Sequence, residues 1–185
     1  MMTRLTLLTG GVRSGKSARA LALAHERSEG RPVLFVATAQ AFDDEMRTRI
    51  TVHRAERPSH WTTLEEPLAL DTALSRRVAD QRPAAVVIDC LTLWVSNILL
   101  TLEEDGDAEG IVAHRTRALL DVLAEHFDTP TIVVTNEVGL GVVPATRLGR
   151  RYRDALGRAN QLIAAAADEV ILLVSGIDVP IKPRG

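Results

Sequence analysis

The residues with the most chemical content lie near the start of the chain. Gly10-Gly11-Val12-Arg13-Ser14-Gly15-Lys16-Ser17 spaces its glycines, lysine and serine as G-x-x-x-x-G-K-[ST]. It follows the apolar run Leu5-Thr6-Leu7-Leu8 and opens a stretch of helical periodicity. Strand, loop and helix in that order let backbone N–H groups converge on phosphate oxygens, with the positive end of a helix behind them. Lys16 is then placed to reach the β- and γ-phosphates of a nucleoside triphosphate, and the Ser17 hydroxyl to ligate Mg²⁺. A glycine-rich turn with no ligand is the other reading of the same residues. Asp89 ends the run Val86-Val87-Ile88, where an acid sits close to the magnesium in such sites. It also suits the N-cap of a helix starting at Leu91.

His53 lies late in the helical stretch Asp43 to Arg54, one turn after Arg49 and just before Arg57. A neutral imidazole can attack phosphorus to form a phosphoramidate, and the arginines would neutralise phosphate charge. Read alone, a histidine on a basic helix is ordinarily a solvated surface residue, which is how His25, His60, His114 and His126 are read. His53 and His60 lack the spacing of a zinc pair. Glu65 and Glu66, before Pro67, either accept hydrogen bonds from a guanine edge or ribose, or lead into the next helix. Arg147, Arg150, Arg151 and Arg153 crowd a helix start, which calls for a nearby anion or for ion pairs with Asp154 and other acids. Trp61, Trp94 and Tyr152 are read as packing residues.

These groups need a scaffold, and the hydrophobic pattern supplies one. Leu5 to Leu8, Val33 to Ala37, Ala84 to Ile88, Thr131 to Val134 and Val170 to Val174 are short apolar runs that read as buried strands. Helical periodicity covers Lys16 to Arg27, Asp43 to Arg54, Leu68 to Ala79, Leu91 to Leu102, Gly110 to Glu125 and Arg147 to Ala166. This alternation predicts a single α/β domain over residues 1–185, a mostly parallel sheet with helices on both faces. Ligands gather at the carboxyl ends of such strands, which selects Thr9 to Ser17, Thr38 to Asp43, Asp89 to Thr92 and Thr135 to Pro144. An extra strand at Trp61 to Leu64 is expected to be antiparallel, for want of chain to make a crossover. Glu103 to Asp107 reads as a solvated loop, and the tail after Gly176 as a surface extension.

The 185 residues, 46% hydrophobic and 25% charged, fit an ordinary globular domain. A net charge of -2 gives no basic footprint for nucleic acid. The lone Cys90 allows no internal disulfide, and no apolar run reaches membrane-span length. The start is too short for a signal h-region. The expectation is a cytoplasmic protein. The signalling-type guanine reader N-K-x-D is missing, since that neighbourhood reads Thr135-Asn136-Glu137-Val138. The size suits a small-molecule kinase or nucleotidyltransferase. A single-function kinase with His53 idle, and a nucleotide-sensing module, remain the alternatives.

Over nearly its whole length the chain resembles the bifunctional adenosylcobinamide kinase / adenosylcobinamide-phosphate guanylyltransferases. The resemblance rests on Thr9 to Ser17, Ala37-Thr38-Ala39, Asp43 to Met46 with Arg49-Ile50 and His53, Arg57-Pro58, Trp61 and Glu65-Glu66-Pro67. It continues in Asp89 to Thr92, Thr135 to Gly139, Gly157 to Gln161 and Val174-Ser175-Gly176. It implies a P-loop NTPase with a RecA-like, mostly parallel sheet, forming a homotrimer. It implies phosphorylation of adenosylcobinamide by GTP or ATP, followed by GMP transfer from GTP through a guanylylated histidine, which falls on His53. Nucleotide contacts fall on Gly10, Gly11, Val12, Arg13, Ser14, Gly15, Lys16, Ser17, Ala37, Thr38, Ala39, Arg54, Ala55, Glu56, Arg57, Glu65 and Asp89. Mg²⁺ falls on Ser17 and Asp89. This sequence departs from some relatives in having Val52 in place of a second histidine, Ala39 in place of Ser and Asp89 in place of Glu. Asp43, Asp44 and Glu137 are candidates for the acceptor base.

Overall fold

The structure is a computed structural model and describes residues 4–41, 43–125 and 129–183, so His126 lies outside the described residues. The apolar runs form β1 (Leu5–Gly10), β2 (Val33–Ala37), β4 (Ala85–Asp89), β5 (Thr131–Val134) and β6 (Glu169–Val174), with β3 (Thr62–Glu65) and β7 (Ile177–Lys182) outside them. All belong to one sheet in the order β3-β2-β4-β5-β1-β6-β7. The first six strands in that order run parallel, and β7 alone is antiparallel.

Alternation along the strands divides the core between the two faces. Leu7, Leu34, Val36, Val86, Ile88, Val133 and Val170 pack on one side against α3 (Leu70–Gln81), α4 (Leu91–Leu100), α5 (Ala108–Glu125) and α6 (Arg147–Ala166). Leu8, Phe35, Val87, Ile132, Val134 and Ile171 point to the other side, where α1 (Lys16–Ser28) lies. The small Ala20 and Ala24, both 0% exposed, let α1 sit close to the sheet and fix the phosphate loop at its start. α2 (Asp44–Ala55) has a different character. Its described side chains are exposed or half-buried, and its start is secured by the Asp43 Oδ1 bond from Met46 N–H at 2.7 Å, a cap of about 1 kcal/mol.

Two expectations are corrected. The strand expected at Trp61 to Leu64 runs parallel to β2, with Leu34 opposite Thr62 and Ala37 opposite Glu65. The crossover exists because α2 itself makes it, which the length argument overlooked. The tail after Gly176 is β7, which pairs with β6. Pro180 is compatible with this because β7 is an edge strand. Lys182 Nζ anchors the tail by donating to the Ala164 and Ala165 carbonyls, 3.1 Å each, at the otherwise unpaired end of α6.

Candidate functional site

β1 delivers the chain to the carboxyl edge at Gly10, whose φ of +146° is a conformation for glycine. A Cβ there would lie 2.4 Å from the Leu173 carbonyl oxygen on β6. Arg13 (φ 58°) and Gly15 (φ 97°) complete the turn, and α1 begins at Lys16. Gly176 N–H donates to Ser14 O at 3.0 Å, so the β6–β7 turn braces the loop from outside. Gly10→Ala is expected to cost about 3 kcal/mol, combining backbone strain with a clash against main chain. Gly11→Ala, with nothing within 4 Å of the added carbon, leaves the melting temperature nearly unchanged. Parallel thermal melts of the two variants check this.

Lys16 is 7% exposed. Its ammonium is held over the loop by Gly11 O at 2.6 Å and Ser14 Oγ at 3.3 Å. Burial lowers its pKa, with Cys90 and Asp89 opposing the shift. Asp89 closes β4, where the Ser17 hydroxyl and the Lys16 ammonium favour its charged form. It is not the helix cap, since Cys90 holds the N-cap position of α4. Burial pushes the Asp89 carboxyl up from its ordinary value, while Ser17 and the fields of His53, Arg57 and Lys16 pull it back. Asp89 thus feels the phosphate loop, the end of α2 and the loop beyond it together.

The sign of that shift makes Asp89 a cost to the free protein. With its folded pKa above the unfolded value of 3.8, the native state binds more protons between the two values. Stability therefore falls as pH rises through that window. Asp89→Asn removes the titrating group and is expected to raise stability at neutral pH by about 1 kcal/mol while reducing nucleotide turnover, a stability–activity trade-off. Thermal melts at pH 4 and pH 7 beside a turnover assay check it. A gain present at pH 7 and smaller at pH 4 is the expected pattern.

Other residues singled out in the sequence lie on the same edge of the sheet or at the end of α2. Ala37 ends β2 and Glu65 ends β3, side by side in register. Arg54 Nη1 lies 3.5 Å from Glu65 Oε1. Arg57 places its guanidinium 3.8 Å from the Phe35 ring centroid and donates from Nη1 to Thr63 Oγ1 at 3.2 Å. His53 is half-exposed at the end of α2, with Nδ1 3.1 Å from Glu56 Oε2. Ala39 follows β2 half-buried, Ala55 ends α2, and Val12 is 81% exposed at the loop tip. His25, His60 and His114 are exposed.

Several residues have structural employment. Thr38, 0% exposed, clamps the next strand end, donating from Oγ1 to Cys90 O at 2.7 Å and accepting from Cys90 N–H at 2.8 Å. Glu66 Oε1 accepts from Leu68 and Ala69 N–H and so leads into α3, which separates it from Glu65. The basic cluster is satisfied within the chain. Arg147 pairs with Asp105 at 2.7 Å and Arg153 with Asp154 at 3.0 Å, and Arg150 and Arg151 donate to loop carbonyls. Glu137 Oε1 accepts from Gly139 N–H at 2.6 Å.

Asn97 escaped sequence reading. It is 5% exposed, and its Nδ2 donates to Thr38 O at 2.8 Å and Pro67 O at 3.1 Å, tying the exits of β2 and β3 together from beneath. The signal was an amide inside the apolar helix Leu91–Leu100, since a buried polar group needs partners. Asn160 plays the same part for β5, accepting from Thr135 Oγ1 at 2.7 Å and donating to Asn136 O at 3.2 Å.

A parallel sheet with a phosphate loop after β1, a lysine over that loop and an acid at the end of β4 defines a P-loop NTPase. A solved ATPase domain shares the fold, with a TM-score of 0.56 and 16% identity over 92% of this chain and 69% of that one. Residues 6–181 match the family cobinamide kinase / cobinamide phosphate guanyltransferase, and the chain belongs to that family of bifunctional enzymes. The bifunctional adenosylcobalamin biosynthesis protein CobU of Salmonella typhimurium is 43% identical, over 96% of this chain and 99% of the relative. CobP of Pseudomonas aeruginosa, described in the same words, is 46% identical over 95% and 96%.

Proposed function

We propose that this enzyme phosphorylates the aminopropanol hydroxyl of adenosylcobinamide with GTP or ATP. It then passes GMP from GTP through His53 to adenosylcobinamide phosphate, in adenosylcobalamin biosynthesis. The observation that carries this reading is that one acid, Asp89 at the end of β4, feels the charges of Lys16 in the phosphate loop and of His53 and Arg57 at and beyond the end of α2, so that the imidazole and the loop that takes the triphosphate share one edge of the sheet. Phosphoryl transfer to the acceptor hydroxyl needs positioning and charge neutralisation more than covalent help, and Lys16 with the loop amides of Gly10 to Ser17 supplies both. Guanylylation needs a nucleophile. Cys90 lies beside Asp89, but burial pushes its thiol up to about 12, so it stays neutral and inert. Lys16 is committed to the loop. His53 is accessible and has a nitrogen to offer.

The Ser17 hydroxyl and the Asp89 carboxylate, near enough for the hydroxyl to favour the charged carboxylate beside Lys16, are the pair that fits Mg²⁺ in a P-loop site. When bound, the ion would neutralise charge on the triphosphate oxygens. Arg54, Arg57 and Glu65, with Ala37, Ala39, Ala55 and Glu56 around them, form the nucleotide's outer wall, and Glu65 is the group for guanine or ribose. No helix among the described residues is long and apolar enough to cross a membrane. The net charge of -2 gives nucleic acid no purchase. We place the enzyme in the cytoplasm, and the family resemblance supports a homotrimer.

Incubation with GTP labelled at the α-phosphorus tests the reading. The enzyme should retain label that survives alkali and is lost in acid, then surrender it to adenosylcobinamide phosphate. Turnover of both substrates with no retained label would favour direct transfer, and no guanylyl transfer at all would favour a kinase alone.

A further inference from the structure

We infer that Glu56 is a positioning residue for guanylylation: it holds the Nδ1–H of His53, so that Nε2 carries the lone pair and becomes the nitrogen that bonds GMP. This rests on the reading of His53 as the nucleophile. A neutral imidazole has one donor and one acceptor nitrogen, and the hydrogen bond made by one decides the role of the other. Glu56 Oε2 stands 3.1 Å from His53 Nδ1, and a carboxylate can only accept, so the proton belongs to Nδ1. Nε2, on the far side of the ring, is left as the nucleophilic atom.

The local sequence supports the assignment. Glu56 occupies the C-cap of α2, where the negative end of the helix dipole makes an acid unfavourable. Helix stability therefore does not account for a glutamate there. The nearby arginines have other partners, Arg54 beside Glu65 and Arg57 on Thr63 and Phe35, which leaves the Glu56 carboxylate to the imidazole. Both side chains are about half-exposed, 54% and 52%, so the contact is worth little to the fold and its value lies in the tautomer.

The chemistry balances without another proton carrier. The Nε2 lone pair attacks the α-phosphorus, the bond from that phosphorus to the bridging oxygen breaks, and pyrophosphate leaves with the electron pair. The phosphorylated ring keeps its Nδ1 proton and is cationic, with the Glu56 carboxylate against it. In the second half a phosphate oxygen of the acceptor attacks the same phosphorus, the P–Nε2 bond breaks, and its electrons return to Nε2. Nδ1 stays protonated throughout.

The test is single-turnover labelling by GTP carrying an α-phosphorus label, with Glu56→Ala, Glu56→Gln and His53→Ala beside the wild type. Glu56→Ala should lower the maximal rate of adduct formation about tenfold, the lower end of what removing a carboxylate behind a histidine costs. The GTP concentration for half-maximal rate should move much less. Glu56→Gln, which keeps an acceptor oxygen, should recover part of the rate. NMR of the isolated wild-type adduct should place phosphorus on Nε2, and ring ¹⁵N shifts of the free enzyme should report the Nδ1–H form, lost in Glu56→Ala. Thermal melts of both Glu56 variants should equal or slightly exceed the wild type, since the acid is unfavourable at that helix end. Phosphorus on Nδ1, or a wild-type maximal rate in Glu56→Ala, overturns the role of Glu56 when His53→Ala takes no label. Label on His53→Ala overturns the nucleophile itself.

Discussion

Lys16→Ala loses both activities together, each by about 10²–10³-fold, the range for removing one group that stabilises transition-state charge. Kinase transfer builds charge between the β- and γ-phosphates, and guanylylation builds it on departing pyrophosphate. The Lys16 ammonium, fixed over the loop by Gly11 O and Ser14 Oγ, lies where both sets of oxygens must rest. The fold survives the change because those two partners belong to the loop itself, and burial already disfavours the charged form. The melting temperature should therefore shift little while both rates collapse. Kinase and guanylyl-transfer rates measured on one folded preparation check it. Wild-type guanylylation beside a dead kinase would reveal a second nucleotide site.

The phosphate loop was the most legible part of the sequence because its chemistry is local. Gly10 to Ser17 carry strand end, turn and helix start in consecutive residues, and the structure places β1 and α1 on either side of them. The central strands were legible for a similar reason: a strand buried on both faces reads as an unbroken apolar run, as in Ala85–Asp89 and Thr131–Val134. β3 and β7 were harder. Thr62–Glu65 is only half-buried, with no apolar run to mark it, and its direction depends on how α2 returns the chain. Ile177–Lys182 carries a proline and is mostly exposed. The basic cluster at Arg147 to Arg153 was ambiguous because the partners of Arg147 and Arg151, Asp105 and the carbonyls of Glu103 and Gly106, are remote in sequence. Glu65 and Glu66 could not be told apart until the fold ended β3 at Glu65 and turned the Glu66 carboxylate onto the N–H groups at the start of α3. The electrostatic coupling of His53, Arg57 and Lys16 to Asp89 was hidden for the deepest reason, since it links segments far apart in the chain.

His53→Ala should separate the two activities. The GMP–enzyme adduct and guanylyl transfer should disappear, while phosphorylation of adenosylcobinamide stays within a few-fold of the wild type. Kinase transfer passes the γ-phosphoryl group directly to a hydroxyl and needs no protein nucleophile. Transfer of GMP through the enzyme divides one difficult displacement into two, and it cannot begin without a nitrogen to accept the α-phosphorus. The neighbourhood offers no substitute. Val52 precedes His53 where some relatives carry a second histidine, and His60 is exposed beyond Arg57 in the turn that leads to β3. The Cys90 thiol is held neutral by burial. The variant should fold, because His53 is half-exposed at the end of a helix and its described contact is the surface pair with Glu56, so the melting temperature should move by no more than ~2 °C. Purified His53→Ala would be incubated with GTP labelled at the α-phosphorus while its kinase rate is followed in parallel. Labelling at the wild-type rate would place the nucleophile elsewhere. Loss of both activities in a folded variant would instead assign His53 to binding the triphosphate that the two reactions share.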